Sequence, residues 1–260
     1  MKRYLLLILI AVLSVTAQAQ RKKQVIKWFS LAAKGGYGNT MLLNSSINND
    51  IAVTRDFKSP SYFYGLRFGF THGDNFGVSA EGLWYTFNQS YDIDLSSGKY
   101  TKDYNFKSFD YTVLLRYTSD LGFIVEGGPK FTTLKTAKYE MTGDGLDGTS
   151  VDIMESLNTK LKGVTFGIGN SIKRGDRVEL NFIVRANYGL TDLMVYEETA
   201  PNYLMEDKRY TRNTDNFVES YMDKYSKTHP LTIQAVLELN YFFAFFGDAK
   251  CGKGRHMFFR

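Results

Sequence analysis

Along residues 62–70 the side chains alternate in kind. Tyr62, Tyr64, Leu66, Phe68 and Phe70 fall on one face, and Gly65, Arg67 and Gly69 on the other. A period of two puts successive side chains on opposite sides of an extended backbone, so this stretch predicts a β-strand with one face in an apolar medium. Seven further segments repeat the pattern. Residues 27–38 set Phe29, Leu31, Ala33 and Tyr37 against Lys34, and 76–87 set Val78, Ala80 and Trp84 against Glu81. Residues 107–118 set Phe109, Tyr111, Val113, Leu115 and Tyr117 against Asp110 and Arg116, and 122–135 set Phe123, Val125 and Phe131 against Glu126 and Lys130. Residues 163–173 set Val164, Phe166, Ile168 and Ile172 against Thr165 and Ser171. The seventh segment is the most regular, with Val178, Leu180, Phe182, Val184, Ala186 and Tyr188 opposite Glu179, Asn181, Arg185 and Asn187. The last, 231–245, sets Leu231, Ile233, Ala235, Leu237, Leu239, Tyr241 and Phe243 opposite Thr232, Gln234, Glu238 and Asn240.

Connections between the segments alternate in length. Tight turns at 71–75, 119–121 and 174–176 are rich in Gly, Asp and Asn, whereas polar stretches at 39–61, 88–106, 136–162 and 191–229 are long. Short turns on one side and long loops on the other are the habit of an up-and-down transmembrane β-barrel. The pattern therefore predicts an all-β fold, an eight-stranded antiparallel barrel with strands over about 27–247. Four long loops would face outside, and both mature termini the periplasm. Trp28, Phe70, Phe76 and Tyr117 would mark the inner membrane–water boundary, and Tyr62, Trp84, Phe109 and Phe131 the outer one.

The first residues supply a route to that membrane. Lys2 and Arg3 precede an apolar run over 4–13, followed by the small-x-small triplet Ala17-Gln18-Ala19, the order of a secretory leader cleaved after Ala19. The mature domain is then 20–260. Beyond the leader the longest apolar run is 241–246, far short of the roughly 20 residues of a membrane-spanning helix. The composition, 15% aromatic with 23 Gly and only 4 Pro, suits strands and turns. A mean hydropathy of -0.27 is compatible with a barrel, which shows lipid only every second side chain. Net charge falls from +5 to +3 when Lys2 and Arg3 leave with the leader, and no dense basic stripe remains, which argues against nucleic-acid binding. A single cysteine, Cys251, excludes an internal disulfide and sits far from any lipoprotein anchor position.

Several short motifs fit this architecture: Lys34-Gly35-Gly36, Ala80-Glu81-Gly82-Leu83-Trp84-Tyr85, Glu126-Gly127-Gly128-Pro129 and Asn187-Tyr188-Gly189-Leu190-Thr191-Asp192. On these the chain resembles the outer-membrane β-barrel domain family, the PorT-like or porin-family small barrels, across nearly the whole mature length. Two features depart from that family: Phe109-Asp110-Tyr111-Thr112 replaces an expected Pro-containing motif, and residues 248–260 continue past the last strand. PorT is associated with type IX secretion. The resemblance thus implies outer-membrane lipid as surroundings and other envelope proteins as partners.

The inward faces carry the candidate chemistry. Lys34, Arg67, Arg116, Lys130 and Arg185 stand against Glu81, Asp110, Glu126, Glu179 and Glu238, five of each sign. Eight strands enclose a lumen just wide enough for side chains, so these charges are expected to pair and close it. The competing reading is a narrow passive pore. Only His72, His229 and His256 could act as base or metal ligand, and only His229 lies near loop acids such as Asp192; a membrane-embedded hydrolase is therefore the third reading. Gly143, Gly145 and Gly148 match a dinucleotide spacing but lie in a predicted loop, outside the strand–turn–helix setting that the motif needs. No cofactor or metal site is expected; Asp144 and Asp147 lack the spacing of a calcium loop. The chain is read as non-enzymatic and monomeric, a structural or accessory component of the outer membrane. The loop at 191–229 reads either as a solvated cap over the barrel mouth or as a partner surface, since Tyr196, Tyr203, Arg209, Tyr210, Arg212 and Tyr221 supply the tyrosines and arginines favoured at interfaces. The basic tail 248–260 reads either as a partner contact or as a mobile end.

Overall fold

The computed structural model describes residues 26–45, 53–55, 59–72, 75–95, 98–143, 146–148, 150–195, 226–248 and 255–259. The predicted leader and its cleavage point lie outside these residues, as do most of the loop at 191–229 and Cys251. Eight long strands form the wall: β1 (Ile26–Leu43), β2 (Pro60–His72), β3 (Phe76–Leu95), β4 (Gly98–Thr118), β5 (Phe123–Gly143), β6 (Lys160–Arg174), β7 (Val178–Gly189) and β8 (His229–Asp248). Each pairs antiparallel with the next. β8 then pairs with β1 from Phe246↔Ile26 to His229↔Leu43, which closes the ring. Closure is what an apolar surrounding demands, because an open edge would leave a row of backbone N–H and C=O groups with no water to satisfy them.

The predicted alternation holds within the membrane-height part of the wall. On β2, Tyr62, Tyr64, Leu66 and Phe68 are exposed while Ser61, Phe63 and Arg67 are buried. Aromatic rings gather at both margins of the apolar band. Phe76 meets Tyr117 at 5.1 Å and Phe29 meets Phe70 at 5.2 Å at one margin; Trp84 meets Phe109 at 4.9 Å at the other.

The strands are longer than the alternation alone predicts. β3 has 20 residues, β4 and β5 21 each. At about 3.3 Å per residue these run close to 65 Å, well beyond an apolar band of about 25 Å even when tilted. The stretch 88–106, read from sequence as a loop, is the upper part of a β3–β4 hairpin paired as far as Leu95↔Gly98. The stretch 136–162 is likewise no simple loop: its first residues continue β5 to Gly143, and Leu146–Asp147 and Val151–Asp152 fold back onto it.

The reason is an inversion of polarity along one strand. On β4 below Ser108 the outward residues Phe109, Tyr111, Val113 and Leu115 are apolar, and the inward ones include Asp110, Thr112 and Arg116. Above it the outward residues are Lys107, Asn105 and Asp103, and the inward ones are Phe106 and Tyr104, both buried. Period two continues; only the two media exchange sides. In this upper part the wall is washed by water, and its inward face makes an ordinary apolar core of Tyr85, Phe87, Tyr91, Tyr104, Phe106, Leu134, Ala137, Leu157, Leu161 and Leu193. A column of rings climbs through it: Phe63 to Tyr85 at 5.8 Å, Tyr85 to Phe87 at 6.0 Å, Phe87 to Phe106 at 4.7 Å and Phe106 to Tyr104 at 6.0 Å.

β5 enters this upper region through a bulge. The register steps from Ser108↔Leu134 to Lys107↔Thr136, leaving Lys135 as the extra residue. Below it even-numbered residues such as Glu126 and Leu134 face inward; above it Ala137 and Met141 do. At the opposite end, Arg255–Phe259 pairs beside β8 from Phe259↔Ala244 to Arg255↔Asp248, so the tail turns back onto the wall.

The β4–β5 ladder has one gap, between Thr112↔Lys130 and Leu115↔Gly127, where Pro129 offers no N–H. There Gly128 lies so close to β4 that a Cβ would sit 1.9 Å from the Val113 carbonyl oxygen, whereas at Gly127 the nearest atom would be 3.5 Å away. Backbone cannot yield as a side chain can. Gly128→Ala is therefore expected to abolish or strongly slow formation of the heat-modifiable, protease-resistant barrel on refolding into detergent, while Gly127→Ala refolds like the parent. Equal refolding yields on a gel-shift assay would refute this account of Gly128.

Candidate functional site

Seven of the eight strands each deliver one charge to the same level of the lumen: Lys34 from β1, Arg67 from β2, Glu81 from β3, Arg116 from β4, Glu126 from β5, Arg185 from β7 and Glu238 from β8. All seven are buried. Direct register neighbours account for two contacts, Lys34 beside Glu238 and Arg116 beside Glu126. The others skip at least one strand, and Arg185–Glu81 and Arg116–Glu238 each span four.

Arg185 grips Glu81 with two parallel bonds, Nη1 to Oε2 at 2.7 Å and Nη2 to Oε1 at 3.1 Å, and its Nε donates to Glu126 Oε1 at 3.2 Å. Arg116 grips Glu238 in the same forked manner at 2.6 and 2.7 Å and reaches Glu126 Oε2 through Nε at 3.1 Å and Nη2 at 2.5 Å. Forked guanidinium–carboxylate pairs are the most directional ion pairs a protein can make. Between them stands Lys34, whose Nζ is 2.6 Å from Glu81, 3.1 Å from Glu238 and 3.5 Å from Glu126. The oxygens of these three carboxylates lie within 4.8 Å of one another, a spacing that could hold a metal ion. Here the lysine ammonium and the two guanidinium groups occupy that role.

β6 contributes an absence of bulk. Gly167 lies in register with both Glu126 and Arg185, and a Cβ there would come within 3.0 Å of Glu126 Cγ and Ile183 Cγ2. The gap lets the arm of Arg185 pass over β6 to Glu126.

Arg67 is the surplus cation of the cluster, four cations facing three carboxylates. Its Nε is 3.1 Å from Glu238 Oε2, and Nη2 donates to Asn240 Oδ1 at 2.5 Å. Asn181 and Asn240 complete the shell by donating to Glu238 Oε1 at 3.0 and 2.8 Å.

The other three inward charges lie apart. Asp110 and Lys130 form their own pair at 2.7 Å, higher in the lumen, with the Lys130 ammonium 4.5 Å from the centre of the Tyr85 ring. A cavity of about 30 Å³ beside Lys130, Tyr85, Ser108 and Thr232 has room for one or two waters. Glu179 sits at the lower mouth, where it accepts from Arg174 Nε at 3.0 Å and from Ser171. Arg174 is a partner that the sequence reading omits, because 174–176 reads there as turn.

His229 and Asp192 are not brought together as a hydrolytic pair. The His229 ring packs on Tyr188 with Nδ1 3.0 Å from the Gly189 carbonyl oxygen, while Asp192 Oδ1 accepts from the backbone N–H groups of Met194 at 3.1 Å and Thr228 at 2.9 Å. Asp192 thus fixes the two ends of the 191–229 loop to each other. Asn158, just before β6, holds the first of these ends by donating to the carbonyls of Asp192 and Met194. Tyr196, Tyr203, Arg209, Tyr210, Arg212 and Tyr221 lie outside the described residues.

Removing one member of a buried ion cluster leaves its partners charged and dry, at a cost of about 3–5 kcal/mol. Glu126 holds Arg116, Arg185 and Lys34, so Glu126→Gln is expected to fall in that range, measured by urea unfolding in lipid vesicles. Arg67→Met, which removes the surplus cation and leaves Glu238 with Arg116 and Lys34, should cost less, about 1.5–3 kcal/mol, the worth of a hydrogen bond made by a charged group. Equal losses for the two variants would contradict this division of roles.

The sequence over residues 5–220 matches the family of the outer membrane protein beta-barrel domain. No curated relative matches the chain. Among solved structures, the chain is similar to Ail, the attachment invasion locus protein of Yersinia pestis, at 12% identity over 82% of this chain and 99% of that one, with a TM-score of 0.37. It is also similar to the outer membrane protein OprG from Pseudomonas aeruginosa, at 14% identity over 85% and 98%, with a TM-score of 0.38. The translocator domain of the autotransporter NalP from Neisseria meningitidis aligns at 10% identity over 90% and 92%, with a TM-score of 0.35. With a ring of eight long antiparallel strands and a family match over most of its length, the chain belongs to the outer membrane protein beta-barrel domain family.

Proposed function

We propose that the protein is a non-enzymatic, monomeric component of the bacterial outer membrane whose lumen is closed to solutes and whose role is structural or accessory, within a secretion or surface assembly. The observation that carries this reading is the ion cluster. Seven buried charges from seven strands cross-link the lumen at one level, and their mutual attraction offsets a desolvation cost that an open aqueous channel would not impose. The aromatic column above them adds a second, apolar obstruction.

Both mature termini would then face the periplasm. Ile26 and Asp248 leave the barrel at the end opposite the long hairpin of β3 and β4, whose outward residues suit water. Partner contacts fall to that far end, above all to the 191–229 loop with its tyrosines and arginines.

In planar bilayers the purified protein is expected to give no large steady openings; steady conductance would replace this reading with the passive pore. Trypsin added to intact cells should cut the loop at Lys208, Arg209 or Arg212 and spare the tail. Cleavage confined to the tail would reverse the orientation. Extraction in mild detergent should bring other envelope proteins with the barrel, and recovery of the barrel alone would remove the assembly.

A further inference from the structure

Just above the outer aromatic margin the wall is charged on one side only. Lys107 on β4, Lys135 at the β5 bulge, and Lys160 and Lys162 on β6 are all exposed. Lys107 is in register with Thr136, Lys160 with Thr133 and Lys162 with Phe131, so the four lie on three adjacent strands, each above the outward apolar residues of its own strand, with Lys160 level with Phe109 and Lys162 level with Tyr111 across the wall. With strands about 4.8 Å apart and about 3.3 Å per residue, the cluster spans roughly 10 Å around the wall and roughly 13 Å along it, from Lys107 to Lys162. Among the described residues none of these four ammonium groups has a carboxylate within ion-pair distance. Beside Lys162 stands Leu190, and the uppermost outward residues of β7, β8, β1 and β2 near the outer margin include Tyr188, level with Val164, Leu231, Tyr37 and Tyr62, all uncharged. Directly below the lysines the wall is apolar and exposed: Tyr111 and Val113 on β4, Phe131 on β5, Val164, Phe166 and Ile168 on β6.

A patch of cations above an apolar wall is complementary to one kind of molecule, an amphiphile with several anionic groups at its head and hydrocarbon below. A zwitterionic headgroup would leave four like charges uncompensated in a poorly hydrated interface, where a surface lysine gains about 1 kcal/mol from an anionic partner. We propose that the β4–β6 wall binds a phosphorylated glycolipid of the outer leaflet. Its phosphates lie on Lys107, Lys135, Lys160 and Lys162 and its acyl chains on the rings and branched side chains beneath. This rests on the outward orientation given above, although the binding chemistry itself does not depend on which way the barrel is inserted.

The test uses the full mature chain in neutral detergent, titrated with bisphosphorylated lipid A, with its dephosphorylated form and with phosphatidylglycerol, and read by native mass spectrometry. Bisphosphorylated lipid A is expected to bind, and to bind at least tenfold more tightly than either control. Each single Lys→Gln change among the four should weaken it about fivefold, the equivalent of about 1 kcal/mol for one surface cation. The quadruple variant should weaken it at least a hundredfold while migrating as a folded barrel on gels. Lys→Arg at the same positions should restore binding. Affinity within twofold of the parent in the quadruple variant, or equal binding of phosphatidylglycerol, would overturn the proposal. Because this assay has no sidedness, the trypsin experiment on intact cells decides orientation separately.

Discussion

Three carboxylates inside a barrel this narrow can stay ionised only if cations are held among them, and most of the remaining architecture serves that requirement. Lys34 stands between all three, and two arginines each grip one carboxylate in a forked pair while reaching a shared third, Glu126. Each contact draws on a different pair of strands, so the cluster ties the circumference together from within, where the backbone ladder ties it from without. A strand slipped by one residue would turn its charge toward the lipid and leave its partners buried alone. The ion cluster therefore fixes the register of seven strands at once, and Gly167 on the eighth leaves the space through which Arg185 passes.

Above that level the same wall obeys a different solvent. Between Phe109 and Lys107 the outward face passes from apolar to polar, and between Ser108 and Phe106 the inward face passes the other way. Nothing in the backbone marks the boundary on β4. On β5 the Lys135 bulge does, re-aiming the strand so that Ala137 and Met141 face the apolar core. The lower part is thus a membrane protein with a polar interior and the upper part a water-soluble β-structure with an apolar one, joined through continuous strands.

The sequence makes the strand count and the inward charges legible, because a lipid-facing side chain every second residue is a strong pattern and Lys34, Arg67, Glu81, Arg116, Glu126, Arg185 and Glu238 all fall on its polar phase. It does not reveal who pairs with whom. Arg67 is in register with Glu81 yet contacts Glu238, and Arg185 reaches Glu81 from four strands away, because contacts across a lumen depend on closure and not on adjacency. The residues 88–106 read as a loop because a lipid-facing strand shows apolar side chains outward, and there the outward positions are Asn88, Ser90, Asp92, Asp103 and Asn105. Gln89, Tyr91, Tyr104 and Phe106 still alternate with them, so a test for period two regardless of which face is apolar would have extended both strands. Gly167 carries a readable signal as well, as a residue without a side chain on the inward phase of β6.

The exchange of media along β3, β4 and β5 also gives assembly a direction. The upper core of Tyr85, Phe87, Tyr104 and Phe106 gains its driving force only from leaving water, and hydrocarbon offers these rings no reason to leave it. The ion cluster has the opposite need, since its charges lose their water only once partners from the other strands have arrived. Ring closure at the level of Lys34 and collapse of the aromatic column are therefore separate events, driven by different solvents on the same strands.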